Sequence, residues 1–173
     1  MILKDYIKTG MATAFLAISV YAIPPVMLPF SQVPFTLQTM VIVLIAFMFK
    51  PYQAFLAIIL YLILGSIGLP IFAYGQGGFD RIIGPTGGFL LLFPLVAYGI
   101  SFFKSKDKHI RNIMTALLWS ILVLYPLATI WLAYSLSLDY LKALYIMLPF
   151  IPLDILKTFL AYAIYKRLPE DLI

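Results

Sequence analysis

An acidic and a basic residue stand three apart in the last apolar stretch of the chain. Asp154 and Lys157 lie within the segment Pro149-Phe-Ile-Pro-Leu-Asp-Ile-Leu-Lys-Thr-Phe. A spacing of three places both side chains on one face of a helix. If this stretch crosses a membrane, such charges are costly and must pair with each other or face a ligand. A carboxylate beside an ammonium group suits a small polar ring that carries both hydrogen-bond donors and acceptors.

Further polar and aromatic side chains could complete a site around this pair. Gln38 can form a hydrogen bond with a ligand or with another helix, and both alternatives are open. Arg81 can hold a substrate carboxylate in a fork, or it can form a surface ion pair with the adjacent Asp80. Aromatic residues could wall an apolar pocket, although they also gather at membrane interfaces; the candidates are Phe35, Phe72, Tyr74 and Phe79.

Glycine is concentrated in one region, where eight of the ten glycines fall between Gly65 and Gly88. Glycine tolerates positive φ and lets the backbone approach a ligand closely. We expect the loop over residues 74–88, which contains Gly77 and Gly78, to be either a lid over a site or a connector that needs tight turns. The segment lacks the Gly-Lys-Ser/Thr ending of a phosphate-binding loop, so nucleotide binding is not expected.

The composition indicates an all-α integral membrane protein. The chain is 64% hydrophobic and only 11% charged, whereas soluble domains carry about 25% charged residues. The apolar runs lack the alternation of membrane β-strands. Cysteine is absent, and the single histidine, His109, stands among lysines in a predicted loop, so we expect no metal site and no cofactor. The net charge of +5 lies in short loops, which argues against nucleic-acid binding.

Six membrane helices are predicted within one transmembrane domain, residues 1–173. Their ranges are 6–28, 34–50, 52–73, 86–104, 110–135 and 152–167. The segment 136–151 is expected to form a loop with a short helix that partly re-enters the membrane; the alternative is a single straight span over 141–167. Pro152 favours the first position of the last helix. Asp154 would then lie in the first turn, where the helix dipole supports a carboxylate.

Lysine and arginine are distributed asymmetrically between the two predicted sides of the membrane. Because cytoplasmic loops carry an excess of these residues, we expect both termini and the 104–111 loop to be cytoplasmic. The Gly-rich loop and segment 136–151 are then outside. The predicted inner set is Lys4, Lys8, Lys50, Lys104, Lys106, Lys108, Arg111, Lys166 and Arg167, and the outer set is Arg81 and Lys142.

The first helix carries small residues at a spacing of four. Gly10 and Ala14 form one pair, and Thr13 and Ala17 form another. Such pairs let helices approach closely within lipid, either inside the bundle or against a partner protein. No internal repeat is visible, although transporters that alternate access alone usually contain two related halves. We therefore expect a component of a larger transport system.

Four segments together resemble the BioY family, the biotin-binding S components of energy-coupling factor (ECF) transporters. They are Val33-Pro-Phe-Thr-Leu-Gln38-Thr, Gly65-Ser-Ile-Gly68-Leu-Pro-Ile-Phe, Gly77-Gly78 leading to Gly84-Pro-Thr-Gly87-Gly88-Phe, and Pro149-Phe-Ile-Pro152-Leu-Asp154-Ile-Leu-Lys157. The resemblance implies a six-helix S component in a prokaryotic plasma membrane. It also implies partners, namely a transmembrane coupling protein and two cytoplasmic ABC-type ATPases.

The same resemblance implies roles for individual residues. Asp154 and Lys157 would contact the ureido ring of biotin, the Gly-rich loop would cover the site, and Gln76 would help to hold the valerate carboxylate. Leu153 and Tyr74 depart from the family pattern, which often has glycine at both positions. A component for another vitamin is the main alternative. An intramembrane enzyme acting on lipid is disfavoured because it would need several acidic or histidine side chains, so we expect no enzymatic activity.

Overall fold

A computed structural model describes residues 3–22, 25–27, 33–106 and 108–169. Within these residues the chain is helical, and strand pairing is limited to two isolated bridges. The helices are α1 (Leu3–Ala22), α2 (Gln38–Met48), α3 (Pro51–Ser66), α4 (Asp80–Ile83), α5 (Gly87–Phe103), α6 (His109–Leu117), α7 (Leu124–Leu136), α8 (Tyr140–Met147) and α9 (Phe150–Arg167). A 3-10 turn covers Ala73–Gly75, and a π turn, Leu118–Val123, joins α6 to α7. The predicted all-α class is confirmed.

The helices differ in how they could cross a membrane. Among the described residues, the continuous helix His109–Leu136 is long and apolar enough to cross by itself. Helices α8 and α9 meet the same criterion together, with a bend of 50° between them. Helices α2, α3 and α5 are apolar but shorter, with 11, 16 and 17 residues. The fourth and fifth predicted helices agree with α5 and with His109–Leu136 to within one residue at each end.

The second helix was predicted to begin at Pro34, which is wrong, because α2 begins at Gln38. The backbone before it pairs with an earlier segment, since Val26 N donates to Phe35 O at 3.0 Å and Phe35 N donates to Val26 O at 2.8 Å. This pairing keeps residues 33–37 out of the helix. The carbonyl of Thr36 is therefore available to a side chain from elsewhere in the fold.

Two other predicted helices extend too far. The third helix ends at Ser66 rather than at 73, because Gly68 takes a left-handed φ of 109° and Pro70 follows. The first helix begins at Leu3 and ends at Ala22. Its predicted last part, up to residue 28, includes positions that lie outside the described residues.

The region before the last helix contains the predicted short helix, which is α8, and the alternative of one straight span is wrong. Helix α9 begins at Phe150, so Pro152 is its third residue and not its first. Proline fits there because the first backbone N–H groups of a helix have no partner within the helix. Asp154 is consequently the fifth residue, just beyond the first turn. Whether this region re-enters a membrane stays a prediction.

Helix α2 lies at the centre of the bundle and packs against α1, α5 and α9. Eight of its eleven residues are buried, which explains why its sequence is apolar on all sides. Its carboxyl end is held by Lys104, whose Nζ donates to the carbonyls of Ala46, Phe47 and Phe49 at 3.1, 2.8 and 2.6 Å. This central position brings the first residues of α2 against α9.

Candidate ligand-binding site

A cavity of about 350 Å³ opens between the Gly-rich loop and helices α2, α5, α7 and α9. Its size falls within the range of about 300–1,000 Å³ that is typical of small-molecule sites. Aromatic and aliphatic side chains provide most of the wall, and a few polar groups converge on it. The polar and charged lining residues are Thr36, Gln38, Thr39, Gln76, Asp80, Arg81, Thr86, Tyr125, Asp154 and Lys157.

Asp154 and Lys157 form a buried ion pair on the wall of this cavity. Lys157 Nζ lies 2.6 Å from Asp154 Oδ1, and each residue is only 6% exposed. Lys157 Nζ also donates to the carbonyl of Thr36 at 2.6 Å and lies 3.8 Å from the centre of the Phe35 ring. The predicted pairing of the two charges is confirmed. The extended segment before α2 supplies the carbonyl and the aromatic face that help to hold the ammonium group.

Two further hydroxyl groups bind the Asp154 carboxylate. Thr39 Oγ1 donates to Oδ1 at 3.2 Å, and Tyr125 Oη donates to Oδ2 at 2.8 Å. Neither residue was predicted from the sequence. Thr39 stands next to Gln38 and one turn before the apolar centre of α2, which is a signal that could have been used. Tyr125 is one of twelve tyrosines, and nothing local distinguishes it.

Gln38 lines the cavity and also connects two helices. Its Nε2 donates to Tyr61 Oη at 2.5 Å, and Tyr61 Oη donates to the carbonyl of Ile71 at 2.8 Å. Its Oε1 accepts from Thr36 Oγ1 at 3.3 Å. The amide therefore joins α2 to α3 and to the start of the Gly-rich loop. A direct contact between Gln38 and a ligand stays a prediction.

The Gly-rich loop presents Tyr74, Gln76 and Arg81 to the cavity. Gln76 pairs with Phe72 through two backbone hydrogen bonds of 2.8 and 3.3 Å, and Tyr74 between them takes a left-handed φ of 63°. Arg81 Nε lies 3.3 Å from Asp80 Oδ2, and the two side chains are 44% and 67% exposed. The surface ion pair is thus confirmed, and Arg81 reaches the cavity at its exposed side. Its binding of a carboxylate stays a prediction.

Gly77 and Gly78 lie behind the lining residues and pack the loop against the end of α3. A Cβ on Gly77 would lie 2.3 Å from Leu69 O. Gly78 takes a φ of 109°, and its N–H donates to Gly65 O at 2.7 Å. These contacts explain why both positions are glycine without any ligand. Contact between either glycine and a ligand stays a prediction.

The aromatic wall differs in part from the predicted one. Phe35, Phe72 and Tyr74 line the cavity as expected, whereas Phe79 does not and is 64% exposed. Other rings come from α5, which the sequence analysis did not assign to the site, and from the first residue of α9; they are Phe89, Phe93 and Phe150. The cavity thus has a buried charged pair, an aromatic middle and an exposed arginine. That arrangement can bind a ligand with a polar ring, an apolar body and an acidic end.

In the part of the chain that the structure describes, no three His, Asp or Glu side chains lie close enough together to bind a metal ion. His109, predicted to be solvated, is exposed at the start of α6 and shares a 2.7 Å hydrogen bond with Tyr162 Oη. That contact lies outside the residues that line the cavity.

The small residues of α1 divide between the interior and the surface. Thr13 is buried and donates to Ala57 O at 2.8 Å, so this position packs α1 against α3. Ala14 is exposed, Ala17 is half-buried, and a Cβ on Gly10 would meet nothing within 4 Å. Gly10 and Ala14 therefore lie on a face of α1 that the described part of the bundle leaves open.

Sequence and structure comparisons agree on the family. Residues 1–172 match the BioY family. A Bacillus subtilis (strain 168) protein named probable biotin transporter BioY is 31% identical over 173 residues, covering 96% of this chain and 92% of that protein. The Lactococcus lactis biotin transporter BioY2 is 38% identical over 143 residues, covering 79% and 76%.

A solved structure extends this agreement to three dimensions. The crystal structure of the S-component for biotin from an ECF-type ABC transporter superposes with a TM-score of 0.88 at 27% identity, covering 95% of this chain and 90% of that one. The helical arrangement described above is therefore the fold of that membrane component. The family match, which spans nearly the whole chain, and this shared fold show that the chain belongs to the BioY family.

Proposed function

We propose that this chain is the biotin-binding S component of an ECF-type uptake transporter. The observation that carries the proposal is the buried Asp154–Lys157 pair on the cavity wall, in a chain of the BioY family. The similarity to a biotin S-component of known structure supports the same ligand. The chain captures the vitamin and performs no chemistry on it.

The ureido ring of biotin complements the ion pair. One of its ring N–H groups would donate to the Asp154 carboxylate, and its carbonyl oxygen would accept from the Lys157 ammonium group. Hydrogen bonds that involve a charged partner are about twice as strong as neutral ones. Withdrawal of the pair from water increases their strength further, because the local dielectric is low. The ring would thus be recognised by both donor and acceptor positions.

The rest of the ligand matches the remaining wall. The sulfur-containing ring and the aliphatic tail would contact Phe35, Phe89 and Phe93, which line the apolar part of the cavity. Gln76 and Arg81 are the two candidates to hold the valerate carboxylate, because both reach the cavity from the Gly-rich loop. That loop, with Tyr74, Gly77 and Gly78, then covers the bound vitamin.

The transport cycle requires proteins besides this chain. We place it as one transmembrane domain that crosses a prokaryotic plasma membrane several times, with both termini in the cytoplasm. A transmembrane coupling protein and two cytoplasmic ABC-type ATPases would supply the energy. The face of α1 with Gly10, Ala14 and Ala17 is the proposed docking surface, because its small residues leave room for a partner helix.

Calorimetric titration of biotin into the detergent-purified chain tests the ligand. The parent chain should bind tightly, and Asp154→Ala and Lys157→Ala should each weaken binding by about 100-fold or more, since each leaves a buried charge without its partner. Asp139→Asn and Lys166→Ala are matched controls, because both side chains are exposed and outside the cavity, and asparagine can still cap α8 as Asp139 does. A well-folded parent that does not bind biotin would refute the proposal and would direct a screen toward other vitamins.

The amide of biotin separates the two candidates for the carboxylate. Replacement of the residue that holds the carboxylate should weaken the binding of biotin but leave the binding of biotin amide nearly unchanged. Arg81→Met and Gln76→Leu are compared in the same titration. Equal loss for both ligands in a variant would show that its side chain supports the loop and does not contact the carboxylate.

A further inference from the structure

We propose that Tyr125 is a positioning residue that, together with Thr39, orients the Asp154 carboxylate and leaves one acceptor position on Oδ2 for a ring N–H of the ligand. The inference rests on the proposed function, because the ligand it concerns is the ureido ring. The ordered carboxylate would add specificity for the ligand to that function. The carboxylate would select a ring with a free N–H because its other positions are filled by the protein.

The hydrogen bonds around Asp154 carry this inference. Oδ1 accepts from Lys157 Nζ at 2.6 Å and from Thr39 Oγ1 at 3.2 Å, while Oδ2 accepts from Tyr125 Oη at 2.8 Å. A carboxylate offers roughly four lone-pair positions. The described contacts occupy both positions on Oδ1 and one on Oδ2, so the remaining acceptor position is on Oδ2.

The phenol of Tyr125 is held in place by packing. The side chain is buried, and its ring meets the ring of Phe89 edge-on with 5.8 Å between the centres. Both residues line the cavity. The hydroxyl therefore cannot move away without disturbing the wall of the site. The Asp154 carboxylate is thus held by Lys157 from its own helix, α9, and by Tyr125 from α7.

The π turn Leu118–Val123 explains how Tyr125 reaches Asp154. Pro126 lacks a backbone N–H and cannot donate to Leu122 O, a carbonyl within the π turn, so the regular helical pattern is interrupted there. Such single-turn π segments are frequent at functional sites. One extra residue in a turn rotates the following residues by about 100° relative to a regular α-helix.

A second contact fixes this turn against α9. Ser120 Oγ, within the π turn, lies 3.3 Å from Thr158 Oγ1, and Thr158 Oγ1 donates to the carbonyl of Asp154 at 2.8 Å. Both hydroxyl hydrogens are donated to backbone carbonyls, that of Ser120 to Ala116 O at 2.7 Å. The helix that carries Tyr125 thus packs against α9 one turn beyond Asp154, in addition to the hydrogen bond at Asp154 itself. These two contacts fix the rotation of the helix that carries Tyr125 relative to α9, and that rotation directs the phenol toward Asp154.

Tyr125→Phe tests the inference, because it removes the hydroxyl and keeps the ring. The affinity for biotin should fall by about 10- to 100-fold, as expected for a lost hydrogen bond to a charged group. The loss should be smaller for an analogue methylated on a ring nitrogen, which cannot use the ordered acceptor position. The ratio of the dissociation constant of the methylated analogue to that of biotin should therefore be smaller in Tyr125→Phe than in the parent. Tyr162→Phe is the matched control, since this buried tyrosine is bonded to His109 and lies outside the cavity.

The outcomes separate this inference from the proposed function. If the parent and Tyr125→Phe bind biotin equally well, or if the variant loses the same factor for both ligands, Tyr125 is not a positioning residue and the proposed function is unaffected. A folded parent that binds neither ligand overturns the proposed function, and this inference with it. Asp154→Asn, alone and combined with Tyr125→Phe, gives a further check. The losses of biotin affinity in the two single variants should not add in the double variant, because the two residues are in direct contact; full additivity would count against the inference.

Discussion

The charges of Asp154 and Lys157 are both withdrawn from water, and each is held by neutral groups in addition to its ionic partner. The carboxylate has Thr39 and Tyr125, and the ammonium group has the carbonyl of Thr36. Burial of an ion pair costs several kcal/mol per ion in desolvation, which the mutual attraction offsets only in good geometry. In other proteins, replacing a buried ion pair by apolar residues of similar volume is often neutral or stabilising. The pair is therefore better explained by ligand recognition than by stability.

Paired and single replacements should separate these two roles. Asp154→Leu or Lys157→Met alone should lower the free energy of unfolding by about 3–5 kcal/mol, because each leaves one buried charge without its partner. The double variant should recover most of that stability but should not bind biotin. Thermal unfolding in detergent, followed beside biotin titration, measures both properties. A double variant less stable than either single variant would show that the pair is primarily structural.

At the scale of the helices, glycine sets how closely α5 approaches α7. A Cβ on Gly88 would lie 2.5 Å from Trp131 Cβ and 3.0 Å from Ala128 O, so the two helices would have to separate. A similar constraint applies at Gly99, where a Cβ would lie 2.2 Å from the Trp119 ring. Because α5 and α7 both contribute to the cavity wall, their spacing determines the width of the site.

Gly88→Ala should therefore lower the stability of the bundle by about 1–3 kcal/mol, the usual cost of overpacking. Gly10→Ala is the control, because its added methyl group meets nothing within 4 Å and alanine favours a helix. We expect Gly10→Ala to match or slightly exceed the parent in thermal unfolding. The reverse order of the two variants would mean that the α5–α7 contact is not close-packed.

At the scale of the molecule, α1 presents large apolar side chains outward, and a narrow strip of small residues runs among them. Leu3, Met11 and Ile18 are each more than half exposed, which suits contact with lipid. Gly10 and Ala14 lie on the same helix with little side chain of their own. A bulky residue in this strip would be tolerated by lipid but not by a closely packed partner helix.

Ala14→Trp should accordingly preserve biotin binding and abolish assembly with the proposed coupling protein and ATPases. Leu122→Trp is the matched control, since Leu122 is also exposed but is not on α1. It lies on the π turn, which packs against α5, α6 and α9. Co-purification with the partner proteins, together with uptake of labelled biotin, provides the measurement. Normal assembly of the Ala14→Trp protein would remove α1 from the docking surface.

A contact could be predicted from the sequence when its residues lie close together in the chain. Composition determined that the protein is helical and membrane-embedded, because burial against lipid demands apolar residues on every side of the chain. The spacing of Asp154 and Lys157 determined their pairing, because i,i+3 geometry is local to one helix. The glycine-rich segment was predicted to be either a lid or a connector with tight turns; it lines the cavity through Tyr74, Gln76 and Arg81, and its Gly77 and Gly78 serve tight turns.

Only the tertiary structure could decide what else surrounds that pair. Thr36, Thr39 and Tyr125 bind it from 121, 115 and 29 residues away in sequence. Lys104 illustrates the same limit, because a lysine assigned from sequence to a cytoplasmic charge cluster proves to hold the end of α2. The sequence by itself determined which residues are unusual in an apolar chain. The packing of α2, α7 and α9, and the π turn that rotates Tyr125, decided which groups meet them.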